Sequence, residues 1–92
     1  MSNRDLTKTV IMFNSRVGSD NNVIIDKLIY DPSLYNYFKK NKINLAEILT
    51  DTLIDTKFNE ELSKRQLLDM ISKLDFSKKI IFDYHTKKIQ ID

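Results

Sequence analysis

Apolar residues along the chain fall into short runs and stripes divided by polar punctuation, and their spacing predicts one strand, then helices, then a strand-like tail. Lys8–Asn14 (KTVIMFN) is rich in β-branched and aromatic residues and is closed by Asn14-Ser15 and by Gly18, the only glycine, which predicts a strand. Ser19 and Asp20 then offer a helix N-cap and an acidic first turn. Beyond them Ile24, Ile25, Leu28 and Ile29 recur at helical spacing. A strand there would put Asp26 on the same face as Ile24 and Leu28, so helix is the preferred reading.

Asp31-Pro32 marks a boundary, because proline suits the first position of a new helix and Asp31 is a good N-cap for it. That helix, about Pro32–Lys40, is expected to bury Leu34, Tyr37 and Phe38, with Lys39 and Lys40 in the last turn where the dipole favours cations. Asn44 and Glu47 stand at capping-box spacing, flanked by the staple pair Ile43 and Ile48, and open a helix running to about Asp55. A further helix, about Glu60–Leu74, carries the stripe Leu67, Met70, Ile71 and Leu74, with Ser63 and Gln66 at capping-box spacing. In Lys78–Asp92 the residues Ile80, Ile81, Phe82, Tyr84, Ile89 and Ile91 have strand propensity, and His85-Thr86-Lys87 is placed to turn a hairpin.

Composition narrows the class. Ninety-two residues with 41% hydrophobic and 30% charged residues describe one globular domain, 1–92, with a core small enough for oligomerisation to matter. There is no cysteine, which excludes a disulfide scaffold, a thiolate metal site and a Cys nucleophile. No apolar run reaches signal-peptide or membrane-spanning length, so a cytoplasmic location is expected. The net charge of +2 is mild. Its distribution says more: Arg4, Lys8 and Arg16 near the start and Lys39, Lys40 and Lys42 in the middle precede an acidic stretch with Asp51, Asp55, Glu60 and Glu61.

Candidate chemistry is sparse. His85 is the only histidine, and a pairing with Asp83 on alternate strand positions gives neither a metal ligand set nor a supported base. Asp51 and Asp55 share a helix face but read as its solvated side. One glycine cannot build a phosphate-cradling loop. Tyr30, Tyr35, Tyr37 and Phe38 at helical spacing read as core and interface before base-stacking platforms. The expectation is a protein that binds a macromolecule without catalysis or cofactor.

The order of elements carries a resemblance. TKTVIMFN, a polar turn and DNNVIIDKLIYDPSLYNYFKK resemble the N-terminal half of ParR-type plasmid partition proteins, through the basic strand ending in Phe13-Asn14, the Ile-Ile-Asp-x-Leu helix and a second helix opening near a Ser. The resemblance implies a mainly α fold with short β: a ribbon-helix-helix dimer over about 7–40, a dimer-stabilising helical part over 44–74, and a tail over 78–92. Two chains would pair their N-terminal strands into a ribbon for the major groove of double-stranded DNA. Alternation then turns Thr9, Ile11 and Phe13 to the core and Lys8, Val10 and Met12 to the groove. Phosphate contacts are expected from Arg4, Lys8, Arg16, Lys39, Lys40 and the backbone around Ser33. The partition resemblance also implies that the tail, through Phe82, Tyr84, Ile89 and Ile91, engages a filament-forming NTPase.

Other readings stay open. FKKNKINLAEILTDTLID looks like the second half of a CopG- or CcdA-like antitoxin or repressor, with Val23–Tyr30 as the ribbon strand and Lys27 and Ile29 facing the groove. A compact monomeric α+β inhibitor or adaptor of a host protein would instead pair Lys8–Asn14 with the C-terminal hairpin inside one chain. A winged helix with Glu60–Leu74 as recognition helix ranks lower, because Asp69 and Asp75 stand where basic residues are expected.

Overall fold

In a computed structural model the described residues, 10–92, form an α+β fold: a four-stranded antiparallel sheet with three short helices on one face. Strands β1 (Ile11–Val17) and β2 (Val23–Tyr30) make a hairpin. A 3-10 turn at Pro32–Leu34 leads into α1 (Tyr35–Lys40), α2 (Leu45–Asp55) and α3 (Lys64–Ser72), and a second hairpin follows with β3 (Ile80–Asp83) and β4 (Lys88–Ile91). The order across the sheet is β1-β2-β3-β4, so the helices are an insertion between two hairpins that meet at β2 and β3.

This corrects the expected fold class. The chain is not mainly α, and its N-terminal strand is already paired with β2 of its own chain, so the ribbon-helix-helix dimer expected from the sequence is not what the structure shows. The compact α+β alternative is nearer in class but not in topology. The C-terminal hairpin pairs with Val23–Tyr30 and leaves the N-terminal strand at the sheet edge.

The segment expected to be the first helix is β2, and the reason is a bulge. Asn14 stands opposite Lys27 and Ser15 opposite Ile25, which leaves Asp26 as the extra residue. The bulge resets the alternation: Leu28 and Tyr30 are buried after it, whereas Ile25, not Ile24, packs against the core before it. Asp26 therefore escapes the buried face that counted against a strand.

Side-chain caps set the helix starts. Asp31 accepts from the Ser33 N–H at 2.8 Å and Asn44 from the Glu47 N–H at 3.2 Å. Ser63 and Gln66 close a full capping box. Two helix ends share one device. Ile43 N–H donates to the Phe38 carbonyl and Phe58 N–H to the Leu53 carbonyl, with Lys42 and Lys57 in the left-handed region between. These are Schellman endings with lysine where glycine is usual.

The core lies between the sheet and the helices. Leu28 and Tyr30 of β2 and Ile80 and Phe82 of β3 are fully buried against Phe38, Leu49, Leu53, Phe58, Leu67 and Ile71. Each such side chain contributes about 1.5–3 kcal/mol on leaving water. Phe58 meets Phe82 and Tyr84 edge-to-face, with ring centroids 5.8 and 5.1 Å apart. The Tyr30 hydroxyl donates to the Phe76 carbonyl at 2.7 Å, and burial pushes that phenol up from its ordinary range. Tyr37 and Met70, expected inside, are exposed. Among the described residues no helix is long and apolar enough to cross a membrane.

Candidate binding edge

The two edges of the sheet are unlike. β4 is four residues long, opens with Lys88 and follows Lys87, the short and charged build that discourages strand addition. β1 is seven residues long, carries neither lysine nor proline, and is exposed at every position from Met12 to Val17. Among the described elements its substantial packing is with β2 alone. Met12, Phe13 and Val17 are 46%, 43% and 68% exposed, which makes this strand the largest apolar exposure tied to one element.

Two backbone bonds fix which of its groups face outward. The Asp31 N–H donates to the Val10 carbonyl at 2.8 Å, and the Gly18 N–H donates to the Asn22 carbonyl at 2.8 Å. In an antiparallel pair, bonded and non-bonded positions alternate. Counting inward from both ends, through the bulge, gives one answer: Met12, Asn14 and Arg16 bond to β2. Ile11, Phe13, Ser15 and Val17 turn their N–H and C=O groups away from the sheet. Among the described residues no strand lies on that side.

The face of the sheet away from the described helices adds to this surface. Opposed positions share a face, so Met12, Ile29 and Ile81 form an apolar row across three strands on the side away from the helices. The next row, Asn14, Lys27, Asp83 and Lys88, is polar and bounds it.

The one charged residue of β1 is tied down. Arg16 Nε lies 3.3 Å from Asp26 Oδ1, and His85 Nε2 from the β3–β4 turn lies 2.5 Å from the same oxygen. The His85 hydrogen bond and the Arg16 guanidinium hold the Asp26 carboxyl below the usual aspartate range. His85 is thereby joined to Asp26 and not to the Asp83 side chain as a base pair. Asp83 Oδ1 instead accepts from the His85 and Thr86 backbone N–H groups and shapes the turn.

The residues expected to bind do not converge. Val10 is fully buried, so it cannot face a groove, whereas Met12 is exposed as expected. Arg4 and Lys8 lie outside the described residues. Arg16 sits on the β1–β2 hairpin, Ser33 in the 3-10 turn, and Lys39 and Lys40 in the last turn of α1. In the tail, Phe82 and Tyr84 are core residues, which leaves Ile89 half-buried and Ile91 exposed at the β4 edge. The outward groups of Phe13, Ser15 and Val17 were missed. The signal for them was a β-prone stretch with no gatekeeping lysine or proline after Thr9.

Among the described residues no group of three or more metal-ligating side chains comes together. A groove of about 670 Å³ lies beside the start of α2 and along α3 and is lined by Asn44, Arg65, Gln66, Leu68 and Asp69. Three of its polar side chains are already engaged in caps and pairs: Gln66 with Ser63, Asn44 with Glu47, Asp69 with Lys73. The chain was compared with protein-family models, with curated proteins and with solved structures, and none matches.

Proposed function

We propose that this chain is a small non-catalytic binding protein that works by strand addition at the outer edge of β1. The observation that carries this reading is the row of outward N–H and C=O groups at Ile11, Phe13, Ser15 and Val17, set beside exposed Met12 and Phe13. A free edge of this length without lysine or proline is an aggregation hazard unless something covers it. An extended protein segment added as a fifth strand satisfies those groups, with alternate side chains meeting Phe13 on one face and Met12 on the other. Double-stranded DNA has lost the premise on which it was expected, an N-terminal strand unpaired in its own chain, and the edge presents no basic row.

The test is paired capture from the source cell with the wild type and with Ser15→Pro. The Ser15 N–H faces outward, so proline there removes a donor from the edge and none from the β1–β2 ladder. Phe13→Lys is the second variant, should proline disturb the strand. Retention of one protein by the wild type and its loss from both variants, with unchanged near-UV circular dichroism, is the expected result. Retention by all three, or recovery of DNA in its place, overturns the reading.

A further inference from the structure

We infer that the β1 edge is matched to a second copy of this chain, so that two sheets join across a two-fold axis into one continuous eight-stranded sheet. The inference rests on the strand-addition reading and names the occupant of the edge. It differs from a ribbon-helix-helix dimer, since β1 keeps its bonds to β2 and gains a partner on its free side.

The register follows from which groups face outward. Two antiparallel β1 strands can exchange hydrogen bonds only between outward-facing residues. Centring the pair on Asn14 sets Ile11 against Val17 and Phe13 against Ser15 of the other copy, and so uses the outward groups of all four residues on both chains. A register centred on Phe13 gives Val17 no partner among the described residues. In the Asn14-centred pair the two Asn14 side chains meet at a non-hydrogen-bonded position, where side chains approach most closely and two amides can bond to each other. The two Phe13 rings become diagonal neighbours, within reach of aromatic contact.

Charge selects the same occupant. Arg16 is the only charged residue of β1, and Asp26 of the same chain already holds it at 3.3 Å. In this register Arg16 faces Met12 of the other copy, so no like charges oppose one another. A strand row without free charge offers nothing to a polyanion and meets itself without repulsion. The row Ile81, Ile29 and Met12 then ends against Arg16 of the other copy, whose methylene stem can cover Met12 while its guanidinium stays with Asp26.

Because the chain has no cysteine, single-cysteine variants read the register directly. The experiment is sedimentation of the full chain over a wide concentration range, with mild oxidation of Asn14→Cys and Met12→Cys. The expected result is a concentration-dependent mass of twice 10.9 kDa, a disulfide dimer from Asn14→Cys and none from Met12→Cys. In the Asn14-centred register the two Met12 positions lie roughly 13 Å apart along the strands. Ser15→Pro is expected to sediment as a monomer at every concentration. A wild type that stays monomeric, or Met12→Cys linking as fast as Asn14→Cys, overturns the inference. If the wild type is monomeric yet Ser15→Pro loses a captured protein, the second copy is wrong and strand addition stands. If Ser15→Pro changes neither mass nor capture, both fall.

Discussion

The Asp31 N–H and the Val10 carbonyl, 2.8 Å apart at the mouth of the first hairpin, determine the chemistry of the sheet edge. With that bond in place, each second residue of β1 is committed to β2 and the others face outward. A slip of one position would exchange the two sets. The hydrophobic pattern opposes such a slip, because Leu28 and Tyr30 would leave the core.

Tyr30 anchors that register from the other side of β2. Its hydroxyl satisfies the Phe76 carbonyl at 2.7 Å and its ring stands edge-on to Phe76, with centroids 5.6 Å apart. Tyr30→Phe keeps the ring and strands the carbonyl, a loss of about 1–2 kcal/mol. Thermal unfolding should show a midpoint lower by several degrees and an unchanged far-UV spectrum.

Lysine in the left-handed region is a stability cost that can be removed. Lys57 has φ of 56° in the Schellman turn after α2 and carries no ion pair among the described residues. Lys57→Gly relieves the Cβ strain, partly offset by a more flexible unfolded chain, and should stabilise by about 0.5–1 kcal/mol. Urea denaturation checks this through a raised midpoint at constant slope.

The Asp26 carboxyl predicts the direction of the acid response. Its folded pKa lies below the ordinary 3.8, through the His85 hydrogen bond first and Arg16 after it. A depressed carboxylate contributes stability that is present above 3.8 and is lost as pH falls through the folded value. Asp75 and Asp83 are lowered in the same sense by bonds to Ser77 and to the His85 and Thr86 backbone. Unfolding midpoints should therefore drop steeply below about pH 4 in the wild type, with a shallower slope for Asp26→Asn. Equal slopes would show that Asp26 is not held as described.

Much of the helical layer was legible in the sequence because its signals are local. Asp31, Asn44 and Ser63 each read as an N-cap and each caps. The same holds for the turn at His85–Lys87 between two strands. β2 was read as a strand only in the second register, which took Val23–Tyr30 for the ribbon; the preferred reading made it a helix, because one bulged residue at Asp26 turned an alternating strand into apparent helical spacing. That misreading carried the fold class with it: once β2 was taken as a helix, β1 had no partner in its own chain. Tyr37 looked apolar enough to be buried, yet its position on the six-residue α1 faces water while Phe38 takes the core. Which groups of β1 face outward depends on hydrogen-bond parity set by long-range pairing, and no local pattern encodes that parity.

The measurement that tests the account most directly is residue-resolved amide hydrogen exchange of β1 in the dilute chain, repeated with its partner bound. The account predicts alternation: slow exchange at Met12, Asn14 and Arg16, fast exchange at Ile11, Phe13, Ser15 and Val17, and loss of that contrast when the edge is filled. Slow exchange at all of these residues in the dilute, monomeric chain would mean that the protein covers the edge itself, and the binding role assigned to β1 would be wrong.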